Sequence, residues 1–464
     1  MSTTSPRRGA LSLIAFIAAL GGFLFGFDTA VISGTLGLVP AQFGLSTVQE
    51  GWFVSSGLVG CIIGVLFAGW LSDRYGRKHT LLLSGVLFLV SAIGCMLAET
   101  FSLLVTMRLI GGVGVGVASM LSPIYLAEMA PAKLRGRMVT LYQLAITIGI
   151  LCAYLSNAAL LGMADGWTGA EGWLGWVLGD EAWRGMFGAE AIPALLFLAL
   201  TVFIPESGRW LLQQGRTEEA RAVFERFQPA AEVSQHIATV QASFDQPQST
   251  LADLLKPGLR TALWLGLLIA FMAQFSGINA VIYYGPRIFA EAGFTLGDAL
   301  GGQVTVGIVN VLFTFVAIAV IDRWGRRPLL LTGALGTGGL LLALGLLFAL
   351  GLEQSPLLLI GILAFIAFFA LSLGPVHWTI LAEIYPTRIR GRAMSIATLG
   401  VWTATAIVGQ IFPWLLETLG PAGAFWFFAI TSGSMFAVIW RLLPETKNRT
   451  LEEIEVLWRE KASA

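Results

Sequence analysis

The chain has 464 residues, 56% hydrophobic and only 12% charged, and its 28 basic and 28 acidic side chains cancel. Soluble domains carry about a quarter charged residues, so most of this chain is built to sit among lipid or other apolar helices, and its mean hydropathy of +0.79 agrees. A net charge of zero leaves no electrostatic footprint for nucleic acid. Cys61, Cys95 and Cys152 lie inside apolar runs without disulfide or metal-site spacing.

Arg7 and Arg8 precede the first apolar run, as in a secretory signal. That run is nearly thirty residues long, contains Asp28 and has no small-residue cleavage site, so a retained membrane helix is expected. A spanning helix needs about twenty apolar residues. Runs of that kind fall near 11–39, 51–72, 80–98, 102–122, 138–161 and 186–204, and again near 259–290, 300–321, 328–351, 356–382, 393–416 and 423–443. The layout predicts an all-α membrane protein of twelve transmembrane helices. It divides into a six-helix half (1–204), a helical linker (205–257), a second six-helix half (258–443) and a tail (444–464). The linker, with Thr217-Glu218-Glu219-Ala220-Arg221, has the apolar spacing of amphipathic surface helices.

Basic residues set the orientation. With this layout 25 of the 28 lysines and arginines fall on one face. Only Arg184 and Arg287 fall opposite, and Arg108 is in the membrane. Both termini are therefore expected to be cytoplasmic, in the cell membrane.

The two halves repeat one another. Asp73-Arg74-Tyr75-Gly76-Arg77-Lys78 returns as Asp322-Arg323-Trp324-Gly325-Arg326-Arg327, 249 residues later. Leu126-Ala127-Glu128 through Arg135-Gly136-Arg137 returns as Leu381-Ala382-Glu383 through Arg390-Gly391-Arg392, 255 residues later, and Pro205-Glu206-Ser207 as Pro444-Glu445-Thr446, 239 later. Parallel six-helix repeats are the plan of transporters whose site lies between the halves. These motifs, with Pro205-Glu206-Ser207-Gly208-Arg209-Trp210-Leu211 and Pro444-Glu445-Thr446-Lys447, resemble the sugar porter family of the major facilitator superfamily. The resemblance runs from the first helix to the tail and points toward bacterial proton-coupled xylose and glucose symporters. Gly208 and Asn448 depart from the family pattern, away from the expected transport site.

Asp28 is a carboxylate inside a membrane helix, which is costly and usually marks an ion or proton path. Arg108, in the fourth apolar run, is its candidate partner. The predicted helix ends put Asp28 roughly 16 Å and Arg108 roughly 9 Å below one membrane face. Burial penalises the charge of Asp28 and Arg108 stabilises it, so opening the site to either side changes its proton affinity. The alternative is a static ion pair. In the resembled symporters the aspartate at this place binds the coupling proton and the arginine tunes it. Glu190 matches a position those symporters also fill with Glu, and two roles are open to it: moving the proton, or capping its helix against water.

A sugar offers many hydroxyls and a weakly apolar ring face, so its site needs amides and an aromatic. The spans offer Gln143, Gln274, Asn279, Tyr283, Tyr284, Asn310 and Trp378, the last just after Gly374-Pro375, where broken backbone would line a cavity. Each matches a sugar-contact position in the resembled symporters. Phe25, Phe369 and Trp402 are the candidate apolar walls. Ala273 and Val401 depart from the family, which commonly has glutamine and a polar residue there, so two hydrogen-bonding groups are missing. His377 reads as a neutral packing histidine.

At the basic face, Glu128 with Arg135 and Glu383 with Arg390, plus Arg74, Arg77, Arg323, Arg326, Glu206 and Glu445, are expected to form a cytoplasmic latch that closes when the carrier faces outward. Gly111-Gly112-Val113-Gly114-Val115-Gly116 has no strand before it, so it is not a nucleotide loop, and Gly112 and Gly116 have helix-packing spacing. The expected function is proton-coupled symport of a hexose or pentose by a monomer, without cofactor or metal. The competing readings are a sugar uniporter and a non-transporting membrane sugar receptor. An enzyme would need a nucleophile–base or metal cluster, and His79, His236 and His377 are far apart in the chain.

Overall fold

The computed structural model describes residues 8–130, 135–227, 230–244, 254–256, 259–385, 390–447 and 453; the side chains of 8–12, 135–139, 230–231, 243 and 322 are not described. Within those residues twelve helical spans follow one another. Spans 1–6 are Arg8–Thr35, Thr47–Tyr75, Arg77–Met96, Phe101–Met129, Arg135–Ala164 and Ala182–Thr201. Spans 7–10 are Leu259–Glu291, Leu296–Trp324, Arg326–Ala349 and Pro356–Ile384. The stretch Arg390–Leu442 changes direction at Gly420 (φ 68°), giving span 11 (390–419) and span 12 (421–442).

Several spans outrun their apolar cores. Spans 2, 4 and 8 are each 29 residues long, because capped polar turns extend them. Ser46 and Gln49 form a capping box, and the hydroxyls of Thr100 and Thr295 accept from Leu103 N and Asp298 N. Span 1 is the exception. It ends at Thr35, short of the expected Val39, and Val39–Phe43 is a separate short helix opened by Pro40.

Spans 1–6 pack among themselves, as do spans 7–12. Spans 2 and 4 approach so closely that a Cβ on Gly112 would lie 1.9 Å from Gly57 O, and one on Gly116 would lie 2.2 Å from Cys61 O. That is the small-residue packing expected of this glycine run. The two groups meet through spans 2 and 11, 5 and 8, and 1 and 7.

The linker forms helices Gly208–Gln213, Thr217–Phe227 and Ala230–Phe244. Ala220, Val223, Phe224 and Phe227 are buried on one face, Gly208 packs against the Phe224 ring, and Trp210 Nε1 donates to Asp73 O at 2.9 Å. The linker thus lies against the arginine-rich end of the bundle. At the opposite end the two stray arginines are both neutralised. Arg287 pairs with Glu50. Arg184 binds Glu181 at 2.7 Å and the carbonyls of Met96 and Ala98, and lies over the rings of Trp176 and Trp183. Burial works against the charge of Glu181, but hydrogen bonds from Gln42, Trp176 and Arg184 outweigh it and hold its carboxyl below the usual range.

Candidate functional site

Asp28 and Arg108 meet. Arg108 Nη1 donates to Asp28 Oδ1 at 2.7 Å, with both side chains almost fully buried. The depth mismatch expected from sequence vanishes because span 1 is shorter. Asp28 lies seven residues before Thr35 and Arg108 seven residues after Phe101, about 10 Å down in each case. The guanidinium also sits 5.6 Å from the centroid of the Phe187 ring. Glu190 stands beside Asp28 where span 6 is interrupted between Ala182–Ala189 and Ala191–Thr201, three residues before Pro193. It is 1% exposed, and its Oε1 has no hydrogen-bond partner among the described residues. Two acids and one arginine therefore share a buried site. One proton on the acids leaves it neutral, and a second ionised acid would be uncompensated.

One residue along, Thr29 faces a central cavity of about 130 Å³ between the two groups of spans. Phe25, Gln143, Gln274, Asn279, Tyr283, Asn310, Phe369, Trp378 and Trp402, all named from the sequence, line it together. Tyr284 does not, which corrects the sequence reading. It is fully buried, donates to Gly409 O at 2.7 Å and packs on Phe412. One residue on from Tyr283 on a helix is a turn of about 100°, so the two tyrosines cannot share a face.

The cavity is framed by two irregular helices. Span 7 breaks between Leu259–Gln274 and Ile278–Glu291, with Gly277 at φ 87°, which presents Gln274 and Asn279 on either side of the break. Asn279 Nδ2 donates to Gln274 Oε1 at 2.8 Å. Span 10 widens into a π turn over Phe369–Leu373, immediately before Gly374-Pro375. The sequence pointed to a break in span 10 but not to the one in span 7.

Four lining threonines went unread in the sequence: Thr29, Thr147, Thr314 and Thr405. Each lies one helical turn after a residue already singled out, namely Phe25, Gln143, Asn310 and Val401, and that four-residue spacing is the signal that would have found them. Each hydroxyl donates to a backbone carbonyl of its own helix, at 2.8–2.9 Å. The hydroxyl oxygens are left as acceptors beside the amides. Among the described residues no carboxylate, lysine or arginine lines the cavity, so its chemistry suits a neutral, hydroxyl-rich ligand.

At the arginine-rich end, the repeated motifs build the same cluster in each half. Arg77 binds Glu128 in a bidentate fashion (3.1 and 3.2 Å) and Asp73 at 3.2 Å, and Ser207 Oγ also donates to Glu128. Glu206 accepts from the backbone N–H groups of Arg77 and Lys78. The second half repeats this: Arg326 and Thr446 bind Glu383, and Glu445 accepts from the N–H groups of Arg326 and Arg327. Glu128 and Glu383 are thus held within their own halves by Arg77 and Arg326. The reason is local: Glu206 and Glu445 sit at the N-termini of spans 3 and 9, where free N–H groups favour an anion. Arg390 Nε donates to Tyr385 O, and Arg74 lines a surface groove with Tyr75 and His79. Lys447 Nζ donates to the backbone carbonyl of Arg323. The side chain of Arg135 and residues 448–452 and 454–464, including Asn448, lie outside the described residues.

At the opposite end, bonds cross between the halves. Ser55 Oγ donates to Gln410 Oε1 at 2.7 Å, Gln410 Nε2 to Val48 O at 3.1 Å, and Tyr154 Oη to Ile282 O at 3.1 Å. The Glu50–Arg287 pair joins them.

The family model for sugar (and other) transporters matches residues 14–458. The arabinose-proton symporter of Bacillus subtilis is 37% identical, over 98% of this chain and 97% of its own. The D-xylose-proton symporter of Escherichia coli is 37% identical (96% and 95%), and its galactose-proton symporter 38% (95% and 93%). Among solved structures, a partially occluded inward-open conformation of the E. coli xylose transporter XylE superposes with a TM-score of 0.82, at 34% identity, over 95% of this chain and all of that one. XylE bound to 6-bromo-6-deoxy-D-glucose gives 0.79, at 36% identity, over 97% and 99%.

Proposed function

This chain belongs to the sugar transporter family, and on that premise we propose that it is a proton-coupled symporter of a pentose or hexose working by alternating access. The observation that carries the reading is the adjacency of Asp28 and Thr29. One faces a buried arginine and a second acid, and the next residue faces a cavity of amides, hydroxyls and aromatics. Asp28 is the proton acceptor, Arg108 holds it ionised between protonations, and Glu190 passes or stores the proton. Gln143, Gln274, Asn279, Tyr283, Asn310 and Trp378 bind the sugar hydroxyls, with Phe25 and Trp402 as walls. Phe25 lies one turn from Thr29 on span 1 and packs on Trp402 of span 11 at 5.2 Å, so a shift of span 1 reaches the sugar and the opposite half together. A proton moving down about one pH unit and 150 mV releases roughly 5 kcal/mol, enough for more than about a thousandfold sugar gradient.

The two six-span groups, 1–204 and 258–443, are the rocking units, joined by the linker 205–257. Both termini face the cytoplasm, and a monomer suffices because the cavity is complete within one chain. The present conformation faces inward: cross-half bonds close the end opposite the arginine-rich loops. The glutamate–arginine clusters of each half are the parts that reorganise into an inner latch when the carrier faces outward.

Proteoliposomes loaded with protein test the reading. Adding D-xylose, L-arabinose, D-galactose or D-glucose outside, with no imposed gradient, is expected to alkalinise the external medium for the transported sugar. Sugar uptake without alkalinisation would make the chain a uniporter, and binding without uptake a receptor.

A further inference from the structure

We propose that His377 selects substrate: its Nε2 accepts a hydrogen bond from one hydroxyl of the bound sugar. The inference rests on the sugar-binding reading of the central cavity. His377 was expected to be a packing histidine, and half of that holds, since it is 4% exposed. Its Nδ1 lies 2.6 Å from Leu373 O. A carbonyl oxygen can only accept, so Nδ1 carries the proton, and in the neutral ring Nε2 is a bare acceptor. Nε2 is buried and has no partner among the described residues. A histidine kept only for packing leaves no such acceptor stranded, because an unmade buried hydrogen bond is unfavourable.

The position explains the unused nitrogen. His377 lines the central cavity. It is placed there by the π turn at Phe369–Leu373, whose last carbonyl fixes the ring. With Nδ1 tied back to its own helix, Nε2 on the far side of the ring points away from that backbone. The other side chains that span 10 gives to the cavity are Phe369, Ala370, Pro375 and Trp378. Trp378 supplies a donor only, and the rest supply neither donor nor acceptor. Across from them Val401 offers no polar atom. Among the described residues His377 is therefore the one side-chain acceptor that span 10 gives to the cavity, next to the Trp378 ring at a centroid separation of 4.8 Å. An acceptor and a donor side by side can hold one hydroxyl, or two on neighbouring carbons, in a defined orientation. That is a means of telling epimers apart, because an epimer turns the hydroxyl away and strands the nitrogen again.

The test is a binding cycle on the purified full-length protein, read by isothermal titration or tryptophan fluorescence. D-xylose, L-arabinose, D-galactose and D-glucose are titrated first. The tightest binder is then compared with its singly deoxyfluoro derivatives, in which fluorine cannot donate. His377→Phe removes the acceptor, and His377→Gln restores one near the Nε2 position; His377→Leu replaces the Phe variant should that not fold. His377→Phe is expected to weaken the parent sugar about tenfold, and His377→Gln to recover it to within about threefold. One deoxyfluoro derivative is expected to bind wild type about tenfold more weakly than the parent, yet bind His377→Phe as well as the parent does. If His377→Phe leaves affinity unchanged, or weakens the parent and every derivative by the same factor, the histidine is packing and the inference fails alone. If wild type binds none of the four sugars, the inference falls together with the sugar-binding reading.

Discussion

Glu50 of span 2 and Arg287 of span 7 form an ion pair that joins the two halves at the end opposite the arginine-rich loops. Glu50 is buried and Arg287 partly exposed, so the pair is shielded on one side only. Breaking one partner of such a pair leaves a charge uncompensated, which costs about 1–2 kcal/mol at this degree of exposure. In the proposed cycle the pair is made only while this end is closed, so the cost falls on the closed form. Glu50→Gln is therefore expected to populate the open form about five- to thirtyfold more. In a background with Cys61, Cys95 and Cys152 replaced, an impermeant maleimide should label Ser55→Cys faster from outside when Glu50→Gln is added. Equal labelling rates would remove the pair from the gate.

The Asp28–Arg108 contact makes a separable prediction. Asparagine keeps the size of Asp28 but can neither take up a proton nor balance Arg108. Asp28→Asn is expected to retain sugar exchange across the membrane while losing uphill accumulation, from as much as about a thousandfold to equilibration. Counterflow of radiolabelled sugar and proton-driven uptake, measured on the same proteoliposomes, separate the two. Continued accumulation by the mutant would place coupling elsewhere, with Glu190 the next residue to replace.

How far the sequence led depends on which physical signal each feature leaves. Spans, linker and internal repeat were legible because apolar length and arginine placement are properties of composition. The Asp28–Arg108 pair was legible because charge inside an apolar run is rare. What failed was anything that depends on one turn of helix more or less. Span 1 was drawn four residues too long, because Leu36, Gly37 and Leu38 are apolar yet lie beyond its end. Tyr284 was grouped with Tyr283 although a helix sends neighbours to different faces. Conversely, four threonines one turn from named residues were passed over because threonine in a membrane helix usually bonds its own backbone, as these do too. Of the arginines named for the latch, Arg77 and Arg326 bind Glu128 and Glu383, arriving from the helices that the repeated loops open, while the expected Glu128–Arg135 pair falls on a side chain outside the described residues.

The repeat itself predicts an unequal response at two equivalent glycines. Gly76 and Gly325 have φ/ψ of 92°/165° and 93°/164°, a region open essentially to glycine alone, where any side chain is strained by about 1–3 kcal/mol. A Cβ on Gly76 would lie 2.2 Å from Glu206 Oε2, whereas one on Gly325 would lie 2.9 Å from Glu445 Oε2. The first displaces the carboxylate that caps span 3; the second crowds its counterpart less. Gly76→Ala is therefore expected to lower the melting temperature in detergent more than Gly325→Ala. A larger loss at Gly325 would mean that the caps do not govern stability at this end.

The roles of the cavity residues can be separated by three substitutions. Gln274 Oε1 accepts from Asn279 Nδ2, and Thr405 Oγ1 lies 3.3 Å from the same oxygen. On the proposed reading, Gln274→Ala therefore removes a sugar contact and also releases two neighbours from their orientation. A cost of about 1.5–3 kcal/mol follows from leaving such polar groups unpaired, equivalent to an apparent sugar constant about ten- to a hundredfold higher. Trp378→Ala removes a ring face and a donor together and should weaken binding by a similar factor. Tyr284→Phe is the control, since its hydroxyl serves Gly409 and not the cavity. It should lower thermal stability by about 1 kcal/mol while leaving sugar affinity within about twofold. Sugar affinity that drops with Tyr284→Phe but holds in both Gln274→Ala and Trp378→Ala would move the binding site toward the Glu50–Arg287 end. The adjacency of Asp28 to the cavity, on which the proposed coupling depends, would then no longer join proton to sugar.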